Sequence, residues 1–405
     1  MTWLWGVAAG ALILRLLMVW VHHAQGWMLR DDAYMYLTLA RNLEHGVFSM
    51  FHPSDIPDTI KRPGYPFVIH LANTNVLSTL LIQCLLSSLK VPLCYMLARE
   101  LGVRPDFALL SAGLIAIEPV DILLSTQLLS ETLFGCAFLA GLWLVVRPGR
   151  WRDLLCAAIL FGTCAWIRPV GPAMILVVGI LLALVLRRSL VRSLTFVATA
   201  LFVLMPWVLR NQQVMGRAYL GDSAVVATSY FQAQHVLNKI EPVRAIERSK
   251  ALDAQAAAMD WEDRPAYHAF FDAQRADVWR IWRSHPFVWT AVHLKKIMEI
   301  IVAPGRGHIA LFFDRDGLPG MLFLAVSLVY STLSIGAFMV LLTLWRSTPP
   351  GLRALMVVAI CVIGMGALTT SDARFKNPVM PVLITITVWG GQQWYQRRKL
   401  DQRVV

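Results

Sequence analysis

Residues 3–23 read Trp3-Leu4-Trp5-Gly6-Val7-Ala8-Ala9-Gly10-Ala11-Leu12-Ile13-Leu14-Arg15-Leu16-Leu17-Met18-Val19-Trp20-Val21-His22-His23, and a few residues later comes Arg30-Asp31-Asp32-Ala33-Tyr34-Met35-Tyr36. About twenty consecutive apolar residues are enough for a helix to cross the hydrocarbon core of a bilayer. The stretch therefore reads as a membrane span that delivers two adjacent carboxylates to one membrane face. Residues 1–14 carry no basic leader and no cleavage signal, so this span reads as retained.

Nine further apolar runs follow, near 77–98, 106–120, 128–146, 154–167, 170–186, 193–209, 318–344, 354–370 and 378–394. The chain of 405 residues is 57% hydrophobic and 15% charged, against roughly 45–50% and 25% for a soluble domain. Its mean hydropathy is +0.58. This composition excludes a soluble enzyme and a disordered protein. The apolar residues are massed in runs, not alternated, which excludes a β-barrel. The expected fold is an all-α polytopic membrane protein with about ten transmembrane helices, several runs being short enough to leave room for eleven to thirteen.

The net charge of +12 raises the question of nucleic acid, and its distribution answers it. With the N-terminus inside, the inner segments hold 14 basic residues, from Arg99 to Arg403, against the four acids Glu100, Asp106, Asp153 and Asp401. This is the positive-inside signature of a membrane protein, and no nucleic-acid partner is implied. Two long segments then lie outside, about 25–76 and 210–316. The chain divides into an N-terminal transmembrane module (1–209) containing the first outer loop, an outer-face helical segment (210–316) and C-terminal transmembrane helices (317–405).

The second outer segment has 14 basic and 12 acidic residues. Stretches 241–260 and 263–284 read as helices, with Pro265 near a helix start. The amphipathic stretch 287–301 either lies flat on the outer interface or packs on its own loop domain. Trp261, Trp279, Trp282 and Trp289 suit an interfacial aromatic belt better than a sugar platform. The six cysteines all fall in apolar runs without metal-ligand spacing and read as small buried hydrophobes.

The remaining charges collect at the outer ends of the spans, where charge calls for a functional reading. In the first outer loop, Tyr36, Leu39, Ala40 and Leu43 share one helical face. Asp31 and Asp32 stand at that helix's start, where a cap is the plain alternative. Lys61-Arg62-Pro63-Gly64-Tyr65-Pro66 follows, its Pro-Gly-Tyr-Pro read as a rigid turn. Further along come Glu118-Pro119 with Asp121, Ser130-Glu131, Arg168-Pro169, Trp207-Val208-Leu209-Arg210 and Asp372-Ala373-Arg374-Phe375-Lys376. Arg62, Arg168, Arg210 and Arg374 thus come from four separate segments on one face. Lipid-headgroup snorkelling explains any one of them. Arginines gathered there suit a phosphate through bidentate, charge-assisted bonds. Carboxylates beside them suit deprotonation of an acceptor.

The order Asp-Asp-Ala-Tyr (31–34), Arg-Pro-Gly-Tyr-Pro (62–66), Leu-Ser-Glu-Thr-Leu-Phe (129–134), Pro-Trp-Val-Leu-Arg-Asn (206–211) and Ala-Arg-Phe-Lys-Asn-Pro (373–378) resembles the GT-C superfamily. Within it, the chain resembles the protein O-mannosyltransferase and aminoarabinose-transferase group, glycosyltransferase families 39 and 83. The resemblance implies a GT-C-like fold and a polyprenyl-phosphate-sugar donor. It also implies a glycan, lipid or protein acceptor, and a bacterial inner-membrane protein working on the outer, periplasmic face. Asp31 matches the family's catalytic base, with Asp32 beside it. Arg62 matches a phosphate-binding residue, joined by Lys61, Arg168, Arg210 and Arg374. Tyr34, Tyr65, Glu118, Glu131 and Lys376 are candidates for substrate contacts. Lys61 departs from the aminoarabinose branch, which has an acid there. No cofactor is expected. Asp31 and Asp32 are adjacent instead of Asp-x-Asp, and His22 and His23 read as interfacial, so a divalent metal is not favoured. The rival readings are a flippase for a lipid-linked sugar, which needs polar residues near the midplane such as Arg15 and Lys90, and a non-catalytic scaffold.

The topology is testable with single cysteines at Ser54, Ala256 and Gln402 and an impermeant thiol reagent. Intact cells should label the first two and spare the third. Labelling of Gln402→Cys without Ala256→Cys would invert the map.

Overall fold

In the computed structural model every regular element is helical. It describes residues 2–24, 29, 31–50, 58–147, 149–261, 263–314 and 317–404, without the side chains of 31, 400, 403 and 404. Lipid offers no hydrogen bonds to a bare backbone, so the apolar runs close their own ladders as helices. The first run is α1 (Thr2–Ala24), and the outer loop holds α2 (Asp31–Asn42) and α3 (Gly64–Leu71). Then come α4 (Val76–Glu100), α5 (Pro105–Ala116), α6 (Pro119–Ser125), α7 (Glu131–Val146), α8 (Trp151–Ile167), α9 (Gly171–Leu184) and α10 (Leu190–Met215). The second outer segment holds α11 (Ser223–Val226), a π-helical turn Ala227–Ala233, α12 (Gln234–Ile240), α13 (Pro242–Ala258), α14 (Arg264–Ser284), α15 (Pro286–Val302) and α16 (Arg306–Phe312). The chain ends with α17 (Leu318–Leu344), α18 (Pro350–Gly366) and α19 (Met380–Val404).

Each of the ten apolar runs is helical. Among the described residues four helices, α1, α4, α10 and α17, are long and apolar enough to cross a membrane on those criteria alone, or five if α5 and α6 are one bent span. The expected third span is broken: α5 and α6 meet at 50°, because Pro119 cannot continue a ladder from Ile117 and Glu118. The break exposes carbonyls that side chains of other helices satisfy. Arg15 of α1 donates to Ala116 O at 3.0 Å, and Tyr330 of α17 donates to Leu114 O at 2.5 Å. At the other end of α6, Gln83 of α4 donates to Ser125 O and Gln127 O at 3.1 and 2.7 Å, and the His22 ring pairs with Thr126 O at 2.6 Å.

The two midplane cations also have partners. Arg15, fully buried, meets Asp121 of α6 at 2.8 Å, and Lys90 of α4 binds the other oxygen of the same carboxylate. Small residues let the helices approach. A Cβ on Gly162 of α8 would lie 2.6 Å from Val203 of α10, the small-residue packing expected in lipid.

Two readings of the outer segments change. Pro63-Gly64-Tyr65-Pro66 is the first turn of α3, not a free turn; Pro is tolerated there because first-turn N–H groups have no helical partner. Helix α15 packs on its own segment and on the bundle: it buries Val292, Lys296, Ile300 and Ile301, while Phe287, Leu294, Met298 and Val302 stay exposed. Trp261 packs edge-on against Tyr267 and Phe270, whereas Trp279 and Trp282 stack on each other at 4.7 Å and remain exposed. Cys84, Cys94, Cys136 and Cys164 are buried, Cys361 is partly so, and Cys156 is exposed.

Removing the anion between two buried cations leaves both uncompensated. Asp121→Asn should therefore cost about 3–5 kcal/mol and lower the thermal midpoint in detergent, with Lys90→Met in the same chain restoring part of it. A single variant that melts with the parent would contradict this account of the bundle.

Candidate functional site

Five side chains from five separate segments form an alternating line of charge. Lys61 meets Asp32 of α2 at 2.6 Å, and Arg374 meets the other oxygen of Asp32 at 3.3 Å. Arg374 continues to Glu131, the first residue of α7, at 3.9 Å, and Arg168, at the end of α8, meets Glu131 at 2.8 Å. The three cations and two carboxylates carry a net charge of +1. The Arg168 contact is an ion pair off hydrogen-bond alignment. Arg168 Nη1 and Arg374 Nε are buried without a hydrogen-bond acceptor among the described residues, so both guanidiniums keep unspent donors. Phe375 underlies both, at 5.9 and 5.1 Å.

Burial alone would raise the Asp32 carboxyl, but Lys61 and then Arg374 outweigh it and hold it below the ordinary carboxylate value. A depressed carboxylate keeps its pairs at neutral pH and loses them only as pH falls through that lowered value. Burial lowers Lys61, while Tyr36 and Asp32 more than restore it, leaving it above its usual value. Its ammonium also lies 5.4 Å over the Tyr36 ring. Asp31 opens α2, and its side chain lies outside the described residues. Asp32 does not cap the helix: it pairs across to two other segments.

Three cavities follow this line. A groove of about 680 Å³ runs between α9 and α10, lined by Leu176, Leu201, Leu204, Met205 and Val208, with Arg62 beside them. It shares Pro169, Ser223 and Ala224 with a second cavity of about 180 Å³ that Arg168, Arg374 and Phe375 line. Arg374 also borders a third, of about 330 Å³, with Asp32, Gln127, His308 and Asp372. An apolar groove, a small cavity with two arginines and a polar chamber thus adjoin one another through shared walls.

The other sequence candidates separate from this line. Arg62 donates to Leu220 O, and its buried Nε has no partner among the described residues; burial pushes it down to about 10, so it stays charged at neutral pH. Arg210 was expected with the phosphate group but is spent elsewhere. It donates to Asp58 O at 2.9 Å, Asn211 Oδ1 at 2.9 Å and Phe48 O at 3.1 Å, and stacks on Trp207 at 4.9 Å. Glu118 caps α6 through the Asp121 N–H and accepts from Asn377 at 3.3 Å. Lys376 donates to Ile301 O at the end of α15 at 2.9 Å. Tyr65 is buried against Gln83, and Tyr34 is exposed. These four shape the surroundings of the charge line and do not line its three cavities.

No sequence pattern marked the strap, residues 58–62, that carries Lys61 and Arg62. Asp222, buried at 1% exposure, accepts from Tyr219 at 3.0 Å and from Thr59 and Tyr267 at 3.2 Å, and pairs with Arg275 at 2.6 Å. Asp58 Oδ1 accepts the N–H groups of Ile60 and Lys61. Asp372, seen among the span-end charges, lies 3.0 Å from His308, which was not singled out, since a lone histidine before a span has no pattern. Among the described residues no three His, Cys, Asp or Glu side chains group as a metal ion would require.

No family model matches the chain, and no curated protein matches it in sequence. Solved structures do. The archaeal oligosaccharyltransferase AglB from Archaeoglobus fulgidus, in complex with an inhibitory peptide and a dolichol-phosphate, matches with a TM-score of 0.54 and 14% identity over 99% of this chain and 51% of its own. The apo form of the Archaeoglobus fulgidus oligosaccharyltransferase matches with a TM-score of 0.53, 14% identity and the same coverage. ArnT from Cupriavidus metallidurans, bound to undecaprenyl phosphate, gives 0.43 at 14% identity over 96% and 77%. The chain spans about half the length of the archaeal enzyme. At this identity the likeness concerns the fold: the chain is an integral membrane protein with a GT-C-like fold.

The strap needs a glycine. Gly221 has φ of +115°, and a Cβ there would lie 2.0 Å from Thr59 O. Gly221→Ala should therefore displace residues 58–62 and lower the thermal midpoint in detergent, at a cost on the order of 1–3 kcal/mol, while the protein still extracts and elutes as the parent does. An unchanged midpoint would show that this glycine does not hold the strap.

Proposed function

We propose that the protein is a membrane glycosyltransferase that moves a sugar from a polyprenyl-phosphate donor to an acceptor at the outer face. The observation that carries this reading is the adjacency of the three cavities, the first two sharing Pro169, Ser223 and Ala224 and the last two sharing Arg374. A polyprenyl chain fits the groove between α9 and α10, its phosphate meets Arg168 and Arg374, and the sugar and acceptor meet beside Asp32. Dolichol-phosphate in the archaeal oligosaccharyltransferase complex, a structure of the same fold, supports a lipid-linked ligand here.

The chemistry of the donors supports it as well. A polyprenyl-phosphate sugar is a phosphodiester with one negative charge, which suits the guanidiniums of Arg168 and Arg374. On transfer the acceptor oxygen attacks the anomeric carbon, and the bond from that carbon to the phosphate oxygen breaks with its electron pair leaving on phosphate. The acceptor proton passes to a carboxylate. The leaving phosphate gains charge as the bond breaks, and preorganised cations stabilise that developing charge. Asp31, unlike Asp32, is the family's matching position for the base. One carboxylate suffices for a single displacement with inversion; a retaining route needs a second as nucleophile. Glu118 caps a helix, Asp121 is held by Arg15 and Lys90, and Glu131 lies between two arginines.

Arg15 and Lys90 were the residues that favoured a flippase. Both are locked on Asp121 and neither lines the three cavities, which supports transfer over transport.

Purified protein given labelled undecaprenyl-phosphate sugars and candidate acceptors should form glycosylated product and release undecaprenyl phosphate. A charged hydrogen bond contributes on the order of 1.5–3 kcal/mol, so Arg168→Ala and Arg374→Ala should each weaken donor binding by at least tenfold. Lysine should rescue only in part, because it lacks the planar fork. Asp31→Asn should cut turnover by about 10²–10⁴-fold with donor still bound, and Asp32→Asn should cost less. NMR of the product should show inverted anomeric configuration. Retention, or full turnover by Asp31→Asn, would rule out the mechanism.

A further inference from the structure

We propose that His308 binds the transferred sugar, accepting or donating one hydrogen bond to a sugar hydroxyl through its Nδ1 while Asp372 holds the ring from the other side. The inference rests on the donor reading above and assigns a role to a residue that reading does not use.

His308 lies in α16, 7% exposed, and lines the polar chamber with Asp32, Asp372 and Arg374. Its Nε2 is 3.0 Å from Asp372 Oδ1. A carboxylate oxygen can only accept, so Nε2 carries a hydrogen and donates it, which fixes the tautomer of the neutral ring. Asp372 is itself fixed, since Oδ1 also accepts the Arg374 N–H at 2.9 Å. Burial would raise that carboxyl, but the His308 bond and charge outweigh it and hold it down to about 2, so it remains an acceptor throughout the working range. The opposite ring nitrogen, Nδ1, is buried and has no hydrogen-bond partner among the described residues. A buried polar atom with no partner costs roughly 1–3 kcal/mol, so an oriented imidazole kept in this state at a chamber wall is suited to a ligand.

The position of the chamber identifies the ligand as the sugar. Arg374 borders both the small cavity with Arg168 and the chamber with His308. The anomeric carbon is one bond from the phosphate oxygens. A phosphate on Arg374, with its lipid leading back to the α9–α10 groove, therefore directs the sugar forward into the chamber. A hydroxyl suits Nδ1 in either protonation state of the ring, because it can donate to the neutral imidazole or accept from the imidazolium.

The test uses full-length protein in nanodiscs and two probes: undecaprenyl phosphate, and undecaprenyl phosphate carrying glucose, mannose or galactose. The parent should bind one hexose form more tightly than bare undecaprenyl phosphate. His308→Phe, which keeps the ring bulk, should reduce that hexose advantage by about tenfold, leaving bare undecaprenyl phosphate within twofold. His308→Asn, which retains a polar group near the Nδ1 position, should keep part of the advantage. Three results would overturn the assignment: equal hexose binding by parent and His308→Phe, a parallel loss of both probes in His308→Phe and His308→Asn, or no hexose preference in the parent. Failure of the parent to bind undecaprenyl phosphate at all would instead overturn the donor reading beneath it.

Discussion

A charge withdrawn from water must meet an opposite charge, and the line Lys61–Asp32–Arg374–Glu131–Arg168 is where this chain meets that requirement at the outer face. Each contact ties together elements far apart in sequence: the strap before α3, the start of α2, the loop before α19, the start of α7 and the end of α8. Arg374 stands at its centre, drawn by Glu131, Asp372 and Asp32 together. Exposed pairs of this kind stabilise a protein little, but Glu131 and the arginines are largely buried, where attraction is screened less. What they gain is order. The guanidinium planes are fixed before a ligand arrives, so little reorganisation remains to be done on binding.

The rest of the molecule holds that line in place. The break between α5 and α6 is tolerated in an apolar setting because Arg15 and Tyr330 reach its free carbonyls, and Gln83 and His22 do the same where α6 ends. Breaking the helix there allows Glu118 to reach Asn377, and so couples the α6 entry to the loop bearing Arg374. On the other side, the Asp222 cluster fastens residues 58–62 to α14. The second outer segment thus acts on the site through the strap, and Arg210, read as a phosphate ligand, serves that strap by donating to Asp58 O.

The apolar runs showed the helices because in lipid a long apolar segment has few alternatives to a helix. The charges at span ends showed which face carries the site. Asp32, Lys61, Glu131, Arg168 and Arg374 were all legible from one rule, that ionisable residues near a membrane need a reason. That rule could not say which partners each charge would find. Arg210 and Arg374 both stand at span ends, yet backbone carbonyls face Arg210 and carboxylates face Arg374. The His308–Asp372 pair and the bonds of Asp222 to Thr59, Tyr267 and Arg275 were not legible because the partners lie 45 or more residues apart, and no local pattern encodes such a distance. The broken third span was half legible: Pro119 was visible, but the side chains that satisfy its freed carbonyls were not.

The central claim is that lipid groove, arginine pair and polar chamber form one binding path. A cryo-electron microscopy structure of the protein with undecaprenyl phosphate tests it most directly. The account predicts phosphate density in contact with Arg168 and Arg374, continuing into a tail between α9 and α10 along Leu176, Leu201 and Met205. Phosphate density resting elsewhere on the outer face, or a tail leaving between other helices, would contradict it.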